Sequence, residues 1–398
     1  MPFETLAPLF LVGTASFLLA WPIARGSAFY RSVLAGIETG RAGMVDGLRG
    51  WLALGVLLSH AACMYSFFKD GTWDSGWAGI YGQTGGVGVA LFFMVTAYLF
   101  WGRVLRKDGQ LQVAEFFQSR VRRIVPMYAV SLLIVFIIVA VASGFQLNES
   151  PVTLLKQIRP WLTFGFMRDG DINGVRAHHI EAVYWTLAYE WCFYLALPFM
   201  ALCHRGWKFA ALICAVVFFS VSSVIVCFVF GAVAAWIVER NFIPFKLDSH
   251  WLTPLPIAAL LLAFAYPEIF AWAPAALLFV FFLFVVKDNS LFGLLATSSA
   301  KLLGTVSYSI YLLHCIVVFV MVSAANRFVP VSEMSAETYA MLIVAAALLT
   351  VLLSTASYRY VEHPFLARTL NKPSAARASA PGRNAARGSM TMPRSPAP

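Results

Sequence analysis

Long apolar runs dominate the chain, with short polar stretches between them. A membrane-crossing helix needs about 20 apolar residues. Runs of that kind fall near 6–23, 47–68, 79–101, 124–143, 184–202, 207–222, 224–239, 253–267, 270–286, 302–324 and 338–358. The pattern predicts eleven crossings and an all-α fold, a polytopic transmembrane helical bundle. The pair 207–222 and 224–239 is short and divided only by a weak break at Ser222–Ser223, and 253–267 is short too. The alternative for the first run is a signal peptide. Its leading end lacks basic residues, and Arg25, Arg31 and Arg41 follow it, which favours an uncleaved anchor.

Composition supports the bilayer as solvent. Hydrophobic residues make up 60% of the 398 and charged residues 12%, against about 45–50% and roughly 25% in a soluble domain. That balance excludes an ordinary cytosolic enzyme, a disordered chain and a nucleic-acid binder. The net charge of +10 then reads as the positive-inside bias of membrane proteins. The stretch 102–123 holds Arg103, Arg106, Lys107, Arg120, Arg122 and Arg123 against Asp108 and Glu115, whereas the charges of 144–183 cancel. The tail after His363 is basic, with no acid, and is rich in Ala, Ser, Pro and Gly, so disorder is expected there. With eleven spans these biases place the N-terminus outside, 144–183 outside and the tail in the cytoplasm. Cys63, Cys192, Cys203, Cys214, Cys227 and Cys315 form no CxxC pair and read as small buried hydrophobes. No internal repeat is visible, and no P-loop, zinc motif or serine-centred elbow.

An ionisable side chain inside a span is costly and therefore a candidate for function. The second span carries Asp46-Gly-Leu-Arg49 and then Ser59-His60. Eleven residues separate Arg49 from His60, which on a helix is about 16 Å along one stripe. Function competes here with a snorkelling Arg49 and a His60 bonded to a neighbouring helix. Glu190 lies in Tyr184-Trp-Thr-Leu-Ala-Tyr-Glu190-Trp-Cys-Phe-Tyr194, with Thr186 and Tyr194 one turn to either side; an interfacial aromatic belt is the bland alternative. Tyr311 and His314 share a face, either in a site or in a satisfied polar cluster. Arg120 and Arg123 present two planar forks suited to phosphate, or they set topology only. Together these groups suit a transfer fed by a phosphorylated donor, with His60 as general base and Glu190 orienting or repolarising it. The pattern His178-His179-x-Glu181 is a weak metal signal, and no metal is expected.

Five stretches in order resemble acyltransferase family 3 of integral membrane proteins. They are Asp46-Gly-Leu-Arg49-Gly…Ser59-His60, Arg120-Val-Arg122-Arg123-Ile-Val-Pro126-Met-Tyr128, Trp185-Thr-Leu-Ala-Tyr-Glu190-Trp-Cys-Phe-Tyr194, Ser307-Tyr308-Ser-Ile-Tyr311-Leu-Leu-His314 and Val361-Glu362-His363-Pro364-Phe365. The resemblance implies a ten-helix core over 46–366, preceded by an extra N-terminal span and linker over 1–45 and followed by the tail 367–398. It implies acyl-CoA, usually acetyl-CoA, as donor, and a carbohydrate or lipid-linked glycan of the cell envelope as acceptor. It makes His60 and Arg49 essential and gives Arg120 and Arg123 to the donor side. Thr186 stands where serine is commoner in the family. The expected location is a bacterial inner membrane, with a periplasmic N-terminus and a cytoplasmic tail. The rival reading is a transporter or flippase whose intramembrane Arg, His and Glu line a translocation path. A lipid-binding subunit without chemistry is a further rival.

Overall fold

The computed structural model describes residues 6–37, 41–73, 79–166, 170–205 and 224–370. Its helices are α1 (Ala7–Gly26), α2 (Ala28–Ala35), α3 (Arg41–Asp70), α4 (Ile80–Arg106), α5 (Val113–Ala142), α6 (Pro151–Leu162), α7 (Ala177–Ile180) and α8 (Tyr184–Leu202). There follow α9 (Ile225–Glu239), α10 (Pro254–Ala263), α11 (Trp272–Val286), α12 (Ser298–Thr305), α13 (Ser307–Asn326), α14 (Ala336–Ser357) and α15 (His363–Leu370). Among the described residues there is one isolated bridge, Ile172–Val175, and no strand. The chain is an all-α, polytopic helical bundle. The run at 207–222 and the tail from 371 lie outside the described residues.

Six described helices are long and apolar enough to cross a membrane: α1, α3, α4, α5, α13 and α14. Three further expected crossings fold as the shorter apolar helices α9, α10 and α11. The ten residues of α10 rise only about 15 Å, half of a roughly 30 Å hydrocarbon core. Both α9 and α11 pack on α4, and α10 packs on α11. Backbone that ends short of the interface is thus covered by protein, where lipid would leave it unsatisfied. Hydropathy alone cannot tell those two environments apart.

The run 302–324 is not one helix, because it breaks at Val306 between α12 and α13. Thr305 contributes to the break by donating its hydroxyl to the Lys301 carbonyl at 2.8 Å. Packing fixes where α12 lies. A Cβ on Gly304 would stand 1.7 Å from the Asp46 carbonyl oxygen, so α12 and α3 touch backbone to backbone. The start of α3 is held in the same way, since a Cβ on Gly47 would meet the Leu295 carbonyl at 2.1 Å. These contacts let α3 begin at Arg41, earlier than its apolar run, with Asp46 and Arg49 inside the helix and bonded to each other.

Of the long helices, α3 and α4 are the most buried and α1 the least. The extra N-terminal helix lies at the periphery against α14 and α12, with Phe10, Leu18 and Trp21 exposed. Ion pairs mark one end of the bundle: Arg106 with Glu239, Arg205 with Asp108, and Arg123 with Glu362. The other end carries the segment between α5 and α8, whose Tyr128–Trp161 and Asn148–Asn173 bonds fold it onto the helices.

Candidate active site

The sequence-predicted residues converge. A cavity of about 310 Å³ opens among α3, α4, α5, α8 and α13, and Arg49, Arg120, Arg123, Glu190 and Tyr311 all line it. Asp46 stands behind Arg49 at 3.3 Å. His60 and His314 do not line this cavity. They lie beyond its apolar wall, joined to it through Tyr311, whose ring is 6.0 Å from that of His314. Tyr311 is thus the contact between the arginine cavity and the histidine pair.

The three guanidiniums differ in what they already hold. Arg49 is paired with Asp46. Arg123 forms an ion pair with Glu362 at 2.9 Å, and Ser309 donates a hydrogen bond to the other oxygen of that carboxylate. Glu362 is completely buried, so Arg123 is the counter-ion that makes its burial possible. Among the described residues Arg120 forms no ion pair with a carboxylate. It bonds Ser119 at 2.8 Å, stacks over Phe100 at 4.6 Å and leaves its buried Nε without a hydrogen-bond partner. An orphaned guanidinium donor beside two further arginines fits an anionic, phosphate-bearing donor. Glu190 accepts a hydrogen bond from Tyr194 one turn away, while Thr186 bonds Tyr311 at 2.9 Å. The helix face read around Glu190 is real, but its members split between two partners.

Hydrogen bonds fix how the histidines are protonated. His314 Nδ1 lies 3.0 Å from the Ile310 carbonyl, which can only accept, so this nitrogen carries the proton. In the neutral pair, His314 Nε2 is then an acceptor. It lies 3.0 Å from His60 Nδ1 and 3.3 Å from Cys315 Sγ, and it accepts from the imidazole in the tautomer that protonates His60 at Nδ1. That leaves Nε2 of His60 as the lone-pair nitrogen, on a ring that is partly exposed while His314 is fully buried. The arrangement supplies a base at a defined atom.

A metal has one candidate place among the described residues. His60, His314 and Cys315 put three donor atoms within 4.8 Å of one another, a set that suits zinc. The hydrogen-bond chain from Ile310 uses the Nε2 lone pair of His314 and leaves that of His60 Nε2 free. His178, His179 and Glu181 do not converge: His178 pairs with Asp171 at 3.3 Å, and both Glu181 oxygens are buried without partners.

Two carboxylates were not legible as site residues. Glu362 lies in the π-helical turn Tyr358–Glu362 that closes α14, a distortion often found at functional sites. This glutamate falls in the last of the five family-like stretches, but nothing in the sequence pairs it with Arg123. Glu181 reads as an ordinary loop charge, yet it is wholly buried, and that burial pushes its carboxyl well above the usual carboxylate range.

A family model described as an acyltransferase domain matches residues 44–359, and the chain belongs to that acyltransferase family. Among curated proteins, Nodulation protein 10 of Rhizobium leguminosarum bv. viciae is 27% identical over 164 residues. The match covers 39% of this chain and 40% of that relative. No solved structure matches the chain.

Proposed function

We propose that this membrane acyltransferase takes an acyl group, in the first instance acetyl, from acyl-CoA and moves it to a hydroxyl of a cell-envelope or exported glycan. The observation that carries the reading is the two-part site. Three arginines and Glu190 surround one cavity, and Tyr311 and His314 connect it to a histidine with a free ring nitrogen. Arg120 binds the donor's phosphates, supported by the charge of Arg49 and Arg123. The thioester end extends past Tyr311 toward His60. His60 Nε2 removes the acceptor hydroxyl proton as that oxygen attacks the thioester carbonyl. The carbon–sulfur bond breaks, and the leaving thiolate takes up a proton.

The basic end of the bundle, with Arg106, Arg120 and Arg123, faces the cytoplasm in this reading, and the segment 144–183 faces the periplasm. The protein is then a multi-pass inner-membrane enzyme with its N-terminus outside and its tail inside. Membranes containing the chain, supplied with acetyl-labelled acetyl-CoA, should transfer label to membrane glycan or release it as acetate. Consumption no faster than in membranes lacking the chain would contradict the proposal and favour the transporter reading.

A further inference from the structure

A second cavity, of about 710 Å³, lies at the opposite end of the bundle from the arginine cluster. Its lining includes Trp73, Asp171, His178, Tyr184 and Trp185. We propose that this vestibule is the acceptor subsite and that it takes a neutral sugar ring. The inference rests on the acyltransferase reading above and locates the second substrate within it.

Position comes first. The ring of His60 packs against Trp73 at 6.3 Å and 29°. Trp73 in turn stacks on His179 at 4.5 Å and 9°, which fixes the plane of the indole. The vestibule therefore meets the reactive histidine from the side away from the arginines. Helix α8 joins the two cavities through adjacent residues: Trp185 lines the vestibule, and Thr186 lines the arginine cavity. An acceptor held on Trp73 and Trp185 lies beside His60 without crossing the donor's path.

Chemistry then selects the class of ligand. Trp185 is half-buried and lines the cavity with an aromatic surface, beside the edges of Trp73 and Tyr184, whose rings are stacked on His179 and Trp161; a pyranose presents a matching face of C–H bonds. The Asp171–His178 pair, 3.3 Å apart and partly exposed, supplies an acceptor and a donor for the hydroxyl rim. No arginine or lysine is among the described lining residues, and Asp171 repels anions. Among the described lining residues the charge differs from that of the donor cavity, which favours a neutral ligand over a phosphorylated one. The volume is within the usual range of ligand pockets, about 300–1,000 Å³.

Aromatic faces with a carboxylate would also suit a quaternary ammonium group, and the test separates the two. The full chain in lipid nanodiscs, free of sugar detergents, is titrated with cellobiose, N,N′-diacetylchitobiose and choline chloride while tryptophan emission is followed. We expect a saturable response to at least one disaccharide. Trp185→Ala should weaken it by about tenfold or more, and Asp171→Asn by a smaller factor. Coenzyme A affinity in the same variants should stay within about twofold, because its contacts lie at the other end. A response to choline alone, no saturable disaccharide response, or one unchanged in both variants would overturn the vestibule. Failure of the wild-type chain to bind coenzyme A would instead count against the acyl-CoA reading, whatever the disaccharides do.

Discussion

His60 and His314, 254 positions apart in the sequence, are joined by a 3.0 Å contact between Nδ1 of the first and Nε2 of the second. Because the Ile310 carbonyl holds the other nitrogen of His314, the contact has a direction, and it leaves the Nε2 lone pair of His60 free for the base role proposed above. His314 is thus a positioning residue.

Replacing it tests that role. His314→Phe keeps a ring in the buried space and removes the acceptor. It should lower kcat by at least about tenfold and shift the limb of the pH–rate profile set by His60. The KM for acetyl-CoA should stay nearly unchanged. His314→Gln, whose amide oxygen can accept from His60 Nδ1, should recover most of the rate. Equal activity in the Phe and Gln variants would show that His314 only fills space.

The arginines should separate. Arg120 carries the unmet donor, so Arg120→Lys keeps the charge, loses the fork and should raise the apparent KM for acetyl-CoA about tenfold. Arg123 is committed to the buried Glu362. Its Gln variant strands that carboxylate and should lose roughly 3–5 kcal/mol of stability. Initial rates against acetyl-CoA concentration and thermal melting of purified enzyme measure the two effects. A donor defect confined to the Arg123 variant would reverse the assignment.

Much of this site was legible because ionisable residues interrupt apolar runs. Arg49, His60 and Glu190 stand out in that way, and the structure places each of them where two or more helices meet. Their partners were not legible. Spacing within one helix reveals which residues share a face, as Tyr311 and His314 do, but says nothing about the helix opposite. Glu362 stood in a family-like stretch, but its pairing with Arg123 was not legible, because a π turn carries α14 past the end of its apolar run. The helices α9, α10 and α11 are apolar as the sequence reads, but their shortness was not legible, since a side chain facing protein and one facing lipid have the same hydropathy.

Glu181 gives a pH test of stability. Its folded pKa lies well above the unfolded value of about 4.3. The folded state therefore keeps a proton that the unfolded chain loses, and stability falls as pH rises from about 4.3 toward the folded pKa. Glu181→Gln removes that titration. Its melting temperature relative to wild type should increase between roughly pH 5 and pH 8. A difference that stays flat or falls with pH would mean that the carboxyl is ionised in the folded protein.

The central claim is that His60 is the base of an acyl transfer. The direct measurement is acylated glycan formed from labelled acetyl-CoA, per unit of accumulated membrane protein, in wild type and His60→Ala. Loss of a general base removes about 10²–10⁴-fold of rate, so product should fall at least a hundredfold while the variant accumulates normally. Product within about threefold of wild type would contradict the claim, because a positioned base contributes far more than that.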